Sequence, residues 1–308
     1  MAEAGVSQRV QQVLRGARAA FRPLIPRRFR GDIPVVPVVR LSGIIGFSTP
    51  LRPGLTLASV ARALERAFGQ RNAAAVALLI NSPGGSPVQS HLIYGRIRQL
   101  AAEKERPVIA FVEDVGASGG YMIACAADEI ICDASSVVGS IGVVGGTFGF
   151  PKLMERLGIE RRLYTAGEHK AMLDPFLPEN PGDVERLKAV QADIHHSFIR
   201  LVKESRGARL TGPEDALFSG EYWTGQTAVE LGLADAIGDL RSTLRARYGD
   251  KVMMPLMAGD RSLLGRLRPG IGFAGADILS PGTELAADLA AGMISAIEAR
   301  ALWARYGL

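Results

Sequence analysis

A serine stands at the point where a predicted strand turns through glycines into a predicted helix. The string GASGGY occupies residues 116–121, and a buried strand is predicted for 107–114 just before it. A hydroxyl at such a corner is exposed on one side and lies near the positive end of the helix dipole, which stabilises a negatively charged oxygen. Ser118 is therefore a candidate nucleophile, and the alternative is a serine that only caps the helix.

A nucleophilic serine needs a base, and Lys170 is the candidate that we favour. The histidines are His91, His169, His195 and His196. None has a clear Ser-His-Asp context, although spacing alone leaves a spatial triad open. A lysine pKa must fall by about three units, which costs roughly 4 kcal/mol, before the amine is a base at neutral pH. The apolar residues 171–173 follow Lys170, and an apolar pocket can supply that decrease. The alternative is a solvated surface charge.

The string INSPGG at residues 80–85 forms a second turn at the end of a predicted strand. Glycine lets backbone N–H groups approach a ligand without a Cβ atom in the way. When such groups are fixed at the end of a strand, they can donate to a developing oxyanion. Taken alone, the string is equally typical of a plain turn.

Short apolar runs alternate with segments of helical period along the chain. The strands and helices that they predict must position Ser118, Lys170 and the glycine turn. The predicted strands span 33–46, 76–85, 107–114, 129–133 and 137–144, with a further strand and turn over 159–167. The predicted helices span 56–70, 88–105, 118–128, 151–158 and 183–206. Buried strands separated by helices indicate an α/β fold with a parallel or mixed sheet covered on both faces.

Composition divides the chain into three regions. Residues 1–32 form a basic amphipathic arm, and residues 33–245 form the α/β domain. Residues 246–308 form a C-terminal extension with a Gly/Pro-rich linker and an apolar helix predicted over 284–307. That helix is expected either to contact a neighbouring subunit or to pack on its own chain.

The positive charge of the chain is concentrated in the arm. Residues 1–30 hold seven Arg and one acid, so that the remaining 278 residues carry about −1 of the total +5. A basic amphipathic helix over residues 7–30 is typical either of docking on the protein body or a neighbouring subunit, or of peripheral contact with an anionic membrane, and both alternatives stay open. We expect no nucleic-acid partner.

Cysteine usage and hydropathy indicate the compartment of the chain. The two cysteines, Cys125 and Cys132, are typical of buried thiols in a reducing environment. No apolar run of transmembrane length and no secretory signal are found. A cytoplasmic chain, peripheral to the inner face of the cell membrane, is the resulting expectation.

Five motifs occur in one order between about residues 34 and 245. They are INSPGGS (80–86), ASGGYMIACAAD (117–128), GSIGVV (139–144), TAGEHKAMLDPF (165–176) and GEYWTGQTAVELGLAD (220–235). Together they resemble the serine peptidase family of signal peptide peptidase A and the protease SohB. The resemblance implies the fold of the ClpP and crotonase superfamily, a spiral of ββα units. Membrane-bound members carry an N-terminal transmembrane anchor, whereas this chain is predicted to have the basic arm.

Carried over by motif, the resemblance also implies an active site. Ser118 corresponds to the nucleophile and Lys170 to the general base, while Gly85 and Gly119 correspond to the donors of the oxyanion N–H groups. Ser140, in GSIGVV, corresponds to the serine that hydrogen-bonds the lysine amine and orients it. No metal and no other cofactor is implied.

The expected function is the hydrolysis of membrane-derived or unfolded peptides by a Ser–Lys endopeptidase. The resemblance further implies a homo-oligomeric ring that encloses the sites. Two alternatives stay open at this point. One is an acyl-CoA hydratase or isomerase of crotonase type, which uses an oxyanion N–H pair without a serine nucleophile. The other is an oligomeric membrane scaffold that keeps the fold without turnover.

Overall fold

The computed structural model describes residues 33–46, 54–257 and 300–307. Its strands are β1 (Val38–Ser42), β2 (Val76–Ser82), β3 (Val108–Ala117), β4 (Glu129–Cys132), β5 (Val137–Gly139), β6 (Tyr222–Thr224), β7 (Ala236–Ile237) and β8 (Leu256–Met257). Its helices are α1 (Leu57–Phe68), α2 (Pro87–Lys104), α3 (Gly119–Ala124), α4 (Pro151–Leu157), α5 (Pro181–Arg206), α6 (Glu214–Leu217), α7 (Gly225–Glu230) and α8 (Leu240–Tyr248). Residues 300–304 are also helical.

The described strands form a single mixed sheet. Its order is β6-β5-β3-β2-β1-β8, and β4 branches from β3 to pair with β7. The β5–β6 pair is antiparallel, and the other strand pairs are parallel. Parallel neighbours need crossover connections, and helices α1 and α2 supply them between β1, β2 and β3. The α/β class expected from the sequence is therefore confirmed.

Strand β3 pairs with two different strands along one edge. Its residues 109–112 pair with β4, and its residues 115–117 pair with β5. On its other edge, the register with β2 shifts between Ile80 and Ser82. Strand β3 thus ends at Ala117 between β2 and β5, and it delivers Ser118 to the carboxyl end of the sheet.

Apolar side chains cover the two faces of the sheet unequally. The larger cluster joins β1, β2 and β3 to helices α1, α2, α3 and α5, and it includes Phe68, Ile97 and Ile123 with at most 1% of each exposed. The smaller cluster joins the opposite face to Leu244 of α8. Burial of each such side chain contributes about 1.5–3 kcal/mol to the free energy of folding. The larger cluster therefore holds in place the helices that border the turn at Ser118.

The helices begin at capping residues that the sequence supplies. Thr56 accepts a hydrogen bond from the N–H of Ser59 and donates its own N–H to the Ser59 hydroxyl, which forms a capping box at α1. Ser86 caps α2 by accepting from the N–H of Gln89, and Pro87 follows at the first helical position. Helix α2 therefore starts directly after the glycine turn of residues 83–85.

Two predicted strands differ from the structure. The strand expected over 137–144 ends at Gly139, because Gly139 (φ 110°) and Ser140 (φ 54°) leave the extended conformation. Residues 159–167 form no strand and are exposed along their whole length. They have the residue types of a strand, but they pair with none of the strands of the described sheet.

Several predictions concern residues outside the described ranges. These include the arm of residues 1–32, the linker, and most of the C-terminal helix, of which residues 300–307 are described. Sheet pairing continues past residue 245, because β8 pairs with β1. Among the helices of the described ranges, none combines the length and the apolar character required to cross a bilayer.

Candidate active site

Ser118 occupies a strained turn between β3 and α3. Its φ of 52° and ψ of −123° lie outside the regions that residues other than glycine usually adopt. The turn is held from both sides. The N–H of Ser118 donates to the carbonyl oxygen of Gly139 (2.8 Å), and its own carbonyl oxygen accepts from the N–H of Met122 (2.9 Å). Its hydroxyl makes no capping hydrogen bond to α3, so the geometry favours a nucleophile over a helix cap.

The glycine turn after β2 packs directly against Ser118. Gly84 has a φ of +98°, and a Cβ atom there would lie 2.9 Å from the backbone nitrogen of Gly119. A side chain at Gly85 would collide with the backbone oxygen of Ile45. Gly85 and Gly119 were predicted to belong to the site, whereas Gly84, which contacts Ser118, was given no separate role.

The backbone N–H groups of Gly85 and Gly119 are free to act as donors. Within the described part of the chain, neither N–H group donates to a protein acceptor. Gly119 is the first residue of α3, where helical N–H groups lack an intrahelical partner. Two such groups beside a serine are the arrangement that an oxyanion requires. Their role stays a prediction.

Ser140 lies across a shared cavity from these residues. It is 8% exposed, has a φ of 54°, and donates its N–H to the carbonyl oxygen of Glu221 (2.6 Å). Its hydroxyl oxygen accepts a hydrogen bond from Tyr306 (3.3 Å). A cavity of about 470 Å³ is lined by Ser118 and Ser140 together with Pro83 and Gly85. The structure therefore brings Ser118, Ser140 and Gly85 to one place.

His195 also lines this cavity, a position to which the sequence argument gave no role. Its Nε2 atom lies 2.9 Å from the carbonyl oxygen of Ile141, so the protonated Nε2 donates to that oxygen. This hydrogen bond ties helix α5 to the segment that follows Ser140. The contact could not be read from the sequence, because 54 positions separate the two residues.

Lys170 does not line the cavity that contains Ser118 in the single chain. It is exposed and lies in a turn over residues 168–173. Its amine makes no hydrogen bond or ion pair with any other residue that the structure describes. Its neighbours His169 and Ala171 line a second cavity of about 880 Å³. The assignment of Lys170 as base thus stays a prediction.

The segment that carries Lys170 exposes many apolar side chains. Between residues 144 and 177 these are Val144, Phe148, Phe150, Leu153, Leu157, Ile159, Leu163, Tyr164, Phe176 and Leu177, with Phe148 80% exposed and Tyr164 89% exposed. Arg161 holds part of the segment together, since it pairs with Asp174 (2.7 Å) and lies over the Phe176 ring. Exposed apolar patches of this kind mark interaction sites. We call this segment, residues 144–177, the apolar flap.

Asn81 fixes the end of β3 from the neighbouring strand. Its side-chain amide donates to Asp114 (2.6 Å), and its side-chain carbonyl accepts from the N–H of Val115 (3.3 Å). These contacts lie where the register between β2 and β3 shifts. Asn81 belongs to the INSPGG motif, and this positioning role was not predicted from the sequence.

A buried ion pair and a hydrogen bond from Tyr121 connect α5 and α3 to the segment before β7. Arg206 is 1% exposed and makes two 2.8 Å hydrogen bonds to Asp235, while the Tyr121 hydroxyl donates to the carbonyl oxygen of Leu233 (2.8 Å). Burial alone would raise the pKa of Asp235. Hydrogen bonds from Arg206 and from the N–H of Ile130 outweigh it and hold this pKa below its ordinary value.

The two cysteines are free, buried thiols, as the sequence predicts. Burial raises the pKa of Cys125 to about 12 and that of Cys132 to about 11. A thiol with so high a pKa holds its proton at neutral pH and is a poor nucleophile. Ser118 therefore has no competitor among the cysteines.

The chain is similar to a family of peptidases and to several curated proteins. The model of peptidase family S49 matches residues 101–251. A Brucella abortus protein named as a Na⁺/H⁺ antiporter, NhaA, is 57% identical over 289 residues, which cover 94% of this chain. The chain spans 39% of the length of that relative. The chloroplastic serine protease SPPA of Arabidopsis thaliana is 34% identical over 185 residues, or 59% of this chain and 26% of that protein.

A Synechocystis protein with a protease name is matched over most of its own length. It is 31% identical over 202 residues, and these cover 64% of this chain and 72% of that protein. The family match includes the turn at Ser118, the segment around Ser140 and the flap with Lys170. The chain belongs to peptidase family S49, the family of signal peptide peptidase A and SohB.

Proposed function

We propose that the chain is a serine endopeptidase in which Ser118 is the nucleophile and Lys170 the general base. One observation carries the proposal. Ser118 sits in a strained turn with its hydroxyl uncapped, next to two backbone N–H groups that have no acceptor in the described chain. A helix-capping serine would have neither property, whereas acyl transfer needs both.

The proposed reaction follows from this arrangement. Lys170 takes the proton of the Ser118 hydroxyl, and the oxygen attacks a peptide carbonyl. The N–H groups of Gly85 and Gly119 stabilise the oxyanion, and protonated Lys170 returns the proton to the leaving amine. Water then attacks the acyl-enzyme with Lys170 again as base. Ser140 orients the lysine amine through its hydroxyl.

A neighbouring subunit is the proposed source of the lysine. Within one chain Lys170 lies on the apolar flap, away from the cavity of Ser118. If the flap packs on a second copy, its apolar side chains leave water and Lys170 is carried to the next Ser118. The loss of water around the amine would favour its neutral form, which is the form a base requires. We therefore propose a homo-oligomeric ring with shared sites.

The proposed substrates are unfolded or membrane-derived peptides. The cavity beside Ser118 includes Pro83, Pro87 and Val143 among its lining residues, and these suit apolar side chains of an extended peptide. Contact of residues 7–30 with an anionic membrane remains part of the proposal. Antiporter activity is not proposed for this chain, because the residues shared with the Brucella relative cover 39% of that protein.

The direct test replaces the nucleophile and measures two readouts. We expect Ser118→Ala to abolish both casein hydrolysis and labelling by a fluorophosphonate probe. Ser135→Ala is the matched control, since Ser135 is exposed on the β4–β5 turn and only its backbone N–H is hydrogen-bonded, to Asp133. Hydrolysis by Ser118→Ala at the wild-type rate would overturn the proposal. The same probe separates a peptidase from a crotonase-type enzyme, which has no nucleophilic serine to label.

A further inference from the structure

His195 lies where helix α5 passes from an exposed half to a half that is packed in the core. On its carboxyl side, Phe198, Leu201 and Val202 are at most 5% exposed and belong to the larger apolar cluster. On its amino side, none of residues 181–194 is buried. The packed half of α5 is therefore fixed to the core, and His195 extends from the beginning of that fixed part.

The side chain of His195 contacts the backbone that follows Ser140. Its Nε2 atom lies 2.9 Å from the carbonyl oxygen of Ile141, and its side chain lines the cavity that contains Ser118 and Ser140. Ile141 has no exposed surface, and among the described residues no backbone N–H donates to its carbonyl oxygen. Because a buried carbonyl oxygen needs a donor, His195 satisfies a group that the backbone leaves unpaired.

Ser140 has a strained backbone that must be held in place. Its φ of 54° lies in the left-handed region, which a residue other than glycine keeps only when its surroundings enforce it. The peptide group before Ser140 is held at both ends. Its carbonyl oxygen, that of Gly139, accepts from the N–H of Ser118 (2.8 Å), and its N–H donates to the carbonyl oxygen of Glu221 (2.6 Å).

The backbone after Ser140 has fewer attachments. The N–H of Gly142 donates to the carbonyl oxygen of Ser140 (3.0 Å), which is a contact within the same turn. In the described part of the chain, the bond from His195 to Ile141 is the one hydrogen bond that ties the two peptide groups after Ser140 to another element. The strained residue is thus fixed by β3 and Glu221 on one side and by α5 on the other.

Gln191 shows that the same face of α5 continues along this segment. It precedes His195 by four positions, so the two side chains share one face of the helix. A Cβ atom at Gly145 would lie 2.7 Å from the Nε2 atom of Gln191. Residues 144–150 are exposed. His195 therefore contacts the segment just before its backbone leaves the core.

We propose that His195 is a positioning residue, whose Nε2–H group fixes the carbonyl group of Ile141 and thereby holds the Ser140 hydroxyl in the cavity of Ser118. The inference rests on the proposed function, in which the Ser140 hydroxyl orients the Lys170 amine. In this role His195 acts through Ser140 and transfers no proton. The Nε2 atom carries a proton both in the neutral tautomer that donates here and in the charged ring, so the contact persists in either state.

The test compares substitutions at two neighbouring histidines in the full-length chain. His195→Phe keeps a ring and removes the donor, whereas His195→Gln keeps a side-chain N–H. For hydrolysis of a fluorogenic peptide, we expect His195→Phe to lower kcat about tenfold with KM nearly unchanged. We expect His195→Gln to recover most of that loss, with the pH profile of the wild type. His196→Phe is the matched control, because His196 is the next residue of α5, is exposed and does not line the cavity.

Hydrogen exchange measures the positioning without catalysis. The backbone N–H groups of Ser140 and Gly142 should exchange faster in His195→Phe than in the wild type. In His195→Gln and His196→Phe they should exchange at the wild-type rate. Faster exchange spread over the whole of α5 and the apolar cluster, with no local difference at Ser140, would show a general stabilising role and would overturn the inference.

The kinetic outcomes separate this inference from the proposed function. Equal kcat of His195→Phe and His196→Phe would overturn the inference, while loss of fluorophosphonate labelling in Ser118→Ala would leave the proposed function standing. Inactivity of His195→Gln as complete as that of Ser118→Ala would also overturn it, because His195 would then transfer a proton. If Ser118→Ala hydrolyses the peptide at the wild-type rate, the proposed nucleophile is wrong, and the role of His195 in orienting a base for it falls as well.

Discussion

A methyl group on Gly84 would lie 2.8 Å from the Cβ atom of Ser118 and 3.0 Å from its hydroxyl oxygen. The turn after β2 and the turn after β3 are thus in close contact at Gly84 and Ser118. The absence of a side chain at position 84 leaves the space that Ser118 occupies.

We expect Gly84→Ala to lower the rate of fluorophosphonate labelling and of casein hydrolysis by about 100-fold, because a displacement of about 1 Å at a reacting group has that effect. Gly43→Ala is the matched control. Gly43 has a similar φ of +102°, and no atom lies within 4 Å of a Cβ there, so it carries the backbone strain without the collision. Equal activity of the two variants would show that the contact with Ser118 is unimportant.

Asn81→Ala is expected to slow turnover while leaving KM nearly unchanged. The substitution removes the acceptor of the Val115 N–H and the donor to Asp114, so the last residues of β3 can shift. We expect a decrease in kcat of about tenfold and a loss of about 1–3 kcal/mol in the free energy of unfolding. Asn72→Ala, in the exposed turn after α1, is the control. A higher KM with an unchanged kcat would contradict the positioning role.

Asp235→Asn is expected to lower the free energy of unfolding at pH 7 by about 3 kcal/mol, because it leaves the buried Arg206 without a counter-charge. Glu214→Gln is the control. Glu214 pairs with Lys203 on the surface, and its loss should cost less than about 1 kcal/mol. Chemical denaturation of the three proteins measures both effects.

The pH dependence of the same ion pair has a definite sign. The pKa of Asp235 is lower in the folded chain than in the unfolded one, so its stabilisation is fully present above the unfolded value of about 3.9. It is lost as the pH falls through the lower folded value. We expect the difference between the wild type and Asp235→Asn to shrink below about pH 4. A difference that grows with acid would contradict the direction of the shift.

Mixing two inactive variants tests whether sites are shared between subunits. Ser118→Ala and Lys170→Ala should each be inactive alone. After joint refolding, random assembly should restore about a quarter of the wild-type activity, since a site needs a serine from one variant and a lysine from the other. A mixture that stays inactive although both variants co-assemble by mass would place the serine and lysine of each site in one chain.

The sequence predicted the parts of the fold that are governed by local pattern. Strands such as β2 and β4 and helices such as α1 were located by apolar runs and period, because burial leaves a direct trace in residue type. The strand predicted over 159–167 was wrong, since these residues pair with no strand of the described sheet, and pairing between distant segments leaves no trace in a local pattern. The early end of β5 at Gly139 was missed for a related reason, since positive φ at Ser140 is imposed by its tertiary contacts.

For the site, the sequence predicted residues and the structure supplied distances. Ser118, Ser140 and Gly85 were named from motifs and do share a cavity. Gly84, Asn81 and His195 were missed because their roles are contacts between distant segments. Lys170 was also named from a motif, but it does not line that cavity in the single chain, and its role as base stays a prediction.

The hydrogen bonds around Ser118 also determine when its surroundings can form during synthesis of the chain. Ser118 is held by Gly139, and Ser140 is held in turn by Glu221, about a hundred positions after the nucleophile. A ribosome must therefore release residues well beyond Ser118 before the acceptor of the Ser140 N–H is present. We expect a chain that ends before Glu221 to leave the segment after β5 without this support, and hence to show no activity of its own.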